Sequence, residues 1–282
     1  MIIWLASYPK SGNTWIRSMI SALLYSKDGF FNFDLLNHIK QFPSKIHLKN
    51  FTNNFENFNE VKKYFIAAQE FINLDNRIKF LKTHHINCKM DQHHFTNKEN
   101  TLATIYVVRD PRNLVSSISN HYSLSLEDSK DFILTPRLLV GNANKQQNLE
   151  KNNLQTLIGT WAEHYKFWKY NNENFLLIKY EDIVNDAFSE LNKIIKFLEK
   201  FIPIESNDKK IENIINTTSF EFLKQLEKKG NFNENATDDL GIHKKFFYLG
   251  PLNKWQNTLD KKIIDEIENK LSKEMIELGY LK

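Results

Sequence analysis

The sequence predicts an α/β fold, a single domain over residues 1–282 with a central parallel sheet of about five strands flanked by helices. Three observations lead there. Short continuous apolar runs alternate along the chain with longer stretches of helical period, the pattern of strands buried on both faces and joined by crossover helices. At 282 residues, with 41% hydrophobic and 26% charged content, the chain can bury a core without disulfides or structural metal, which excludes a collagen-like, coiled-coil or disordered polymer. With only 8 Gly and 6 Pro, and no Pro/Gly/Ser-rich linker, nothing marks a domain boundary.

The first strand is read at residues 2–6, a continuous apolar run ending in a turn that contains Pro9, Ser11 and Gly12. A helix over 14–25 follows, because positions 15, 16, 19, 20, 23 and 24 are apolar and fall on one face. Strands are expected at 78–83 and, most strongly, at 102–108. Asp110-Pro111 then supplies an N-cap residue and a proline at the first helical position, opening a helix to about His121. Apolar residues at 154, 157, 158, 161, 165 and 168 predict a helix over 154–170. A fourth strand at 175–179 precedes helices over about 187–200, 209–215, 219–228 and 259–278. Residues 41–57, 123–150 and 229–250 carry the least pattern, and the last, rich in Asn, Asp, Gly and Lys, is expected to be a mobile lid.

Charge and cysteine usage bound the partners. A net charge of +4, from 38 Lys+Arg against 34 Asp+Glu, is too weak to neutralise a nucleic-acid backbone, so any anion binding must be local. Cys88 has no intrachain partner, which favours a reducing, cytoplasmic setting. No segment approaches the roughly 18 consecutive apolar residues of a membrane span. The run from Met1 lacks a basic leader and stops at Tyr8-Pro9, so the first residues are expected to belong to the fold.

The sharpest motif is Ser7-Tyr8-Pro9-Lys10-Ser11-Gly12-Asn13-Thr14-Trp15, between the first strand and the first helix. Such a junction points backbone N–H groups and the helix's positive end at one spot, a phosphate site that Lys10, Ser11 and Thr14 complete. The nucleotide-triphosphatase pattern GxxxxGK[ST] is missing, because Lys10 precedes Gly12. This string resembles the loop of the sulfotransferases that use 3′-phosphoadenosine 5′-phosphosulfate (PAPS), whose YPKSGxTW segment binds the 5′-phosphosulfate. The resemblance implies that Ser11, Gly12, Asn13 and Thr14 cradle that group. Lys10 would meet the bridging oxygen and leaving phosphate, and Trp15 would stack on adenine. Asn13 stands where cytosolic members usually carry threonine.

Two further blocks follow in the family's order. Tyr106 to Ser117 again joins a strand to a helix, and the resemblance gives Arg109 and Ser117 the 3′-phosphate. Phe80-Leu81-Lys82-Thr83-His84 ends a strand, where open α/β sheets place ligands. It is similar to the family's LKTH segment, whose histidine is the general base. A near-neutral imidazole suits removal of an alcohol's proton, and Lys82 would balance charge spreading over the transferring sulfonyl. His85, next along the chain, is expected to face elsewhere. Tyr180 and the Thr218-Ser219-Phe220 segment resemble residues that close around the adenine. Trp161 and His164 match a family helix, with Trp161 read as core.

At the C-terminal block the chain departs from the family. The basic pair of RKGxxGxW is replaced by Tyr248 and Leu249, while Gly250 and Trp255 keep their separation. Either the phosphate is held less tightly, or a nearby cation substitutes, with Lys244, Lys245 and Lys254 as candidates; the alternative is a reduced specificity for the 3′-phosphate. A rival metal reading rests on His84, His85, Cys88, His93 and His94, but their spacing matches no familiar Cys/His zinc signature.

The resemblance thus implies a fold built like the P-loop kinases with an altered loop. It also implies PAPS as co-substrate with no metal, and in-line sulfonyl transfer to a hydroxyl or amine of a small-molecule, sugar or lipid-headgroup acceptor. The alternatives are a nucleotide-dependent kinase, which needs a GK pair and a carboxylate motif not seen here, or a non-catalytic nucleotide-binding module. Acceptor identity and oligomeric state are not legible.

Overall fold

Alternation along β1 (Ile2–Ser7) sends Ile2, Trp4 and Ala6 into one apolar cluster and Ile3 and Leu5 into another, and every residue of the strand is buried. A strand covered on both faces belongs at the centre of a parallel sheet. The computed structural model, which describes residues 1–139, 154–230, 232 and 244–282, places it there. With β2 (Lys40–Gln41), β3 (Lys79–Thr83), β4 (Thr101–Val108) and β5 (Phe175–Lys179), it forms a five-stranded sheet in the order β2-β3-β1-β4-β5. All four pairings are parallel.

The helices that shape the site are α1 (Asn13–Tyr25), α2 (Pro111–Tyr122), α3 (Leu126–Leu134), α4 (Trp161–Tyr170), α5 (Asp208–Thr218), α6 (Phe220–Lys228) and α7 (Lys261–Glu277). Helix α1 packs with β5 and α5 on the face of Ile3 and Leu5, whereas α4 and α7 cover the face of Trp4. There Trp4 meets Phe42, Phe95 and Trp168 at ring separations of 5.4 to 6.0 Å.

Several elements differ from the sequence expectation. The helix expected over 154–170 begins at Trp161, because Gly159 turns the chain at φ 62° and Thr160 with Glu163 forms a capping box. The residues before it include Thr156–Leu157, paired antiparallel with Leu138–Leu139. Within the stretch read as unpatterned, α3 starts at a Ser125 cap with Glu127 and Asp128 in its first turn. An unexpected helix also runs from Phe65 to Asn73. The strand β2, two residues long, is too short to carry a period. Most of the expected lid, residues 231 and 233–243, lies outside the described residues.

Candidate active site

The register brings four strand ends to one edge: Ala6 lies opposite both Thr83 and Tyr106, and Val108 opposite Lys179. From β1 the chain leaves toward β2 and β3 on one side, and later returns to β4 on the other. The crevice at such a switch point is where open α/β sheets bind ligands. The segments that continue from these ends are Tyr8–Gly12, His84, Arg109 and Tyr180.

The loop after β1 is held from below. The Tyr8 hydroxyl donates to the Phe132 carbonyl at 2.8 Å, and the Ser11 N–H to the Tyr8 carbonyl at 3.3 Å. Lys10 and Gly12 adopt left-handed backbone, with φ of 65° and 101°. For lysine this costs about 1–2 kcal/mol, strain of the kind that collects at functional sites. Helices α2 to α7 each receive a side-chain cap, yet α1 has none and no acidic residue in its first turn. Its leading N–H groups therefore face the loop and favour an anion. Thr14 is buried beside them, and Lys82 is buried one step before Thr83 on β3.

Asn13 departs from the threonine pattern with a visible consequence. Its amide donates to the Leu5 carbonyl and to Ser7 Oγ, each at 3.2 Å, so it secures the strand end. His84 is anchored at the same place. Its Nδ1 lies 2.8 Å from the Ser7 carbonyl and 3.2 Å from Ser7 Oγ. A carbonyl only accepts, so Nδ1 carries the proton and Nε2 the basic lone pair.

Tyr180 gathers the rest. A Cβ added at Gly12 would come within 2.6 Å of its ring, the Arg109 guanidinium sits 4.0 Å from its centroid, and Trp15 meets it edge-on at 5.5 Å. Arg109 donates to the Gly250 carbonyl at 3.2 Å and to the Lys10 carbonyl at 3.4 Å. Phe220 lies flush on Gly250, where a Cβ would fall 2.2 Å from the ring. Ser117 is half-buried on α2. Thr218 and Ser219 have other uses: the Thr218 hydroxyl donates to the Ile214 carbonyl at 2.7 Å, and Ser219 caps α6.

Among the described residues, Ser11 Oγ, Asn13 Oδ1, Trp15 Nε1 and Arg109 Nε are buried without a hydrogen-bond partner. Unsatisfied buried polar atoms cost about 1–3 kcal/mol each, and four around one loop fit a polar ligand that supplies their partners. Of the substitute cations, Lys244 donates to the Asn120 carbonyl at 2.9 Å and to Ser123 Oγ at 2.5 Å, while Lys245 and Lys254 are exposed. Among the described residues no His, Cys, Asp and Glu side chains gather as a metal site. His85 instead stacks on Phe95 at 4.4 Å and is fully buried.

Two histidines outside the sequence reading of the site stand beside it. His121 follows Ser117 by one helical turn. Burial, then the charges of Lys10, His84, Lys82 and Lys244, hold its pKa well below the usual histidine range. Its ring meets Phe246 edge-on at 6.0 Å, and Lys10 Nζ lies 3.7 Å from the same ring's centroid. The i, i+4 spacing from Ser117 was the available signal. His164, on α4, is fully buried and contacts the His84 backbone carbonyl at 3.1 Å.

Comparison with known proteins follows this geometry. The chain is 26% identical over 229 residues to luciferin sulfotransferase of Photinus pyralis, covering 79% of this chain and 56% of that protein. It is 25% identical to 3-alpha-hydroxysteroid sulfotransferase of Cavia porcellus, over 78% of this chain and 65% of the relative. The matches thus span less than two thirds of these two relatives. Cytosolic sulfotransferase 13 of Arabidopsis thaliana is 24% identical over 97% of this chain and 76% of its own length. In fold, mouse sulfotransferase SULT7A1 complexed with PAP superposes with a TM-score of 0.61 at 20% identity, covering 97% of this chain and 84% of that one. Retinol dehydratase in complex with androsterone and inactive cofactor PAP gives 0.59 at 16% identity, over 97% and 80%. The sulfotransferase domain model matches residues 2–279, nearly the whole chain, and the chain therefore belongs to the sulfotransferase domain family.

Proposed function

We propose that this chain is a PAPS-dependent sulfotransferase that moves a sulfonyl group to a hydroxyl, or an amine, of a small-molecule acceptor. The carrying observation is the left-handed Lys10–Gly12 turn at an uncapped helix start, ringed by buried, unpartnered polar atoms and faced by a tautomerically fixed His84. In the reaction the acceptor oxygen attacks sulfur in line, the bond from sulfur to the 5′-phosphate oxygen breaks, and 3′-phosphoadenosine 5′-phosphate (PAP) leaves. His84 Nε2 takes the acceptor proton as the new S–O bond forms. Lys10 meets the charge growing on the leaving phosphate and Lys82 that on the sulfonyl oxygens. Ser11, Thr14 and the first N–H groups of α1 hold the phosphosulfate.

Arg109 with Ser117 takes the 3′-phosphate, and Trp15, Tyr180 and Phe220 enclose the adenine. No metal is needed where lysines and a helix start already meet the leaving dianion. The sugar and lipid-headgroup acceptors remain within this reading, and nucleic acid does not. We read residues 1–282 as one domain. The single cysteine supports a cytoplasmic setting. Among the described residues no helix is long and apolar enough to cross a membrane.

Labelled PAPS supplied with an acceptor panel tests the assignment. Lys10→Ala and His84→Ala should each lower turnover by about 100-fold or more. Wild-type rates in both variants would overturn the site. Equal affinity for PAP and AMP would overturn PAPS as donor.

A further inference from the structure

The buried face beneath His84 contains a polar chain that the proposed chemistry does not use. His164 Nε2 lies 3.1 Å from the backbone carbonyl of His84, and its Nδ1 lies 2.8 Å from the hydroxyl of Tyr106. The carbonyl can only accept, so Nε2 carries the proton and Nδ1 receives the Tyr106 hydroxyl. Both side chains are 0–1% exposed; Tyr106 lies in the apolar cluster beneath the sheet edge, and the His164 ring packs 5.6 Å from the rings of both Tyr106 and Tyr8. A phenol and an imidazole in such a place are costly unless each polar atom is satisfied. Here the partner that completes the chain is the peptide of the residue read as the base.

His84 is consequently tied on two sides by separate elements. Its ring is bonded to the end of β1 through Ser7, and its carbonyl to α4 through His164, which is itself fixed to β4 through Tyr106. The neighbouring peptide is held too, since Trp168 Nε1 donates to the His85 carbonyl at 2.9 Å. The ring of His84 projects from the turn just beyond β3, so rotation of that peptide would carry Nε2 away from the acceptor. Displacement of a reacting group by about 1 Å can cost about 100-fold in rate.

We infer that His164 is a positioning residue, holding the His84 peptide through its Nε2–H and held in turn by the Tyr106 hydroxyl. This rests on the reading of His84 as general base. Loss of these buried hydrogen bonds lowers stability under either role. A purely structural role would lower nucleotide affinity together with rate, whereas a positioning role lowers the rate and leaves nucleotide affinity unchanged.

The test compares His164→Phe, which keeps a ring but no donor, with His164→Gln, which keeps an N–H at similar reach, and with Tyr106→Phe. Readouts are thermal melting, PAP affinity by calorimetry, kcat and KM for PAPS, and nitrogen NMR of the His84 ring. His164→Phe should lose on the order of 10- to 100-fold in kcat, with PAP affinity within about 2-fold of wild type, while His164→Gln recovers most of the loss. In the spectra, wild-type His84 should be the Nδ1–H tautomer, and His164→Phe should give a mixture. If His164→Phe fails to fold, Tyr106→Phe carries the same comparison, because it removes one oxygen and leaves the ring.

An unchanged kcat, a parallel fall in PAP affinity, or no recovery in His164→Gln would overturn the inference. If His84→Ala is inactive while His164→Phe is unimpaired, only this inference fails. If His84→Ala retains full turnover, the underlying reading fails with it.

Discussion

At the scale of single residues, contact with glycine decides more of this site than charge does. Tyr180 lies on Gly12 so closely that a methyl group there would stand 2.6 Å from its ring, and the backbone at φ 101° disfavours any side chain. Gly12→Ala should therefore push the ring off the loop, disturb the Arg109 stack upon it and weaken PAP binding by at least about 10-fold, with the overall fold retained. Titration calorimetry on the purified variant checks this, and unchanged affinity would count against the packing described. The place of Lys10 in a loop between the first strand and the first helix was legible from the motif, because the string and its junction are local. The tie between His84 Nδ1 and Ser7 was not, since it joins residues 77 positions apart.

At the scale of elements, α2 illustrates how a helix start becomes an anchor for the site. Asp110 caps the helix by accepting from the Arg112 N–H at 2.9 Å, and it also accepts from the Arg112 guanidinium at 2.7 Å. That guanidinium further reaches Glu268 of α7 and the Tyr280 carbonyl, and stacks 4.1 Å from the Trp255 ring centroid. Both charges are about 5% exposed. Removal of one member of a buried pair leaves the other uncompensated, so Asp110→Ala should cost about 3–5 kcal/mol of stability, read by urea denaturation. A loss below about 1 kcal/mol would mean that Glu268 alone suffices. The sequence revealed the Asp-Pro start of α2, whereas the start of α4 was misplaced because an apolar face continued across Gly159. Periodicity cannot see a turn that is set by one glycine and a capping box.

For the whole molecule, the buried His85 and His164 and the half-buried His47 link the fold to pH. Burial lowers the pKa of His47 and His85 to about 4 and that of His164 to about 3. These values lie below the ordinary one near 6.5. As pH falls from about 6.5 toward 4, the unfolded chain takes up protons that the native chain refuses, and stability is lost. The three sites together make this on the order of several kcal/mol. Melting temperature should fall steadily across that window, and His85→Phe should flatten the fall. A melting temperature constant from pH 7 to 4.5 would contradict the neutral state of these rings.

By itself the sequence determined the local units of this protein. Buried strands, the loop that opens α1, the Asp-Pro start of α2 and the LKTH strand end each depend on neighbours within a few residues, and so did the resemblance to the sulfotransferases. Only the tertiary structure decided how those units meet. The order β2-β3-β1-β4-β5 brings four strand ends together, sets Tyr180 on Gly12 and Phe220 on Gly250, turns the hydroxyl of Thr218 back into its helix, and ties His84 to Ser7 and His164. Each is a contact between distant segments, fixed by sheet register and side-chain packing, and such contacts leave no periodic trace in the chain.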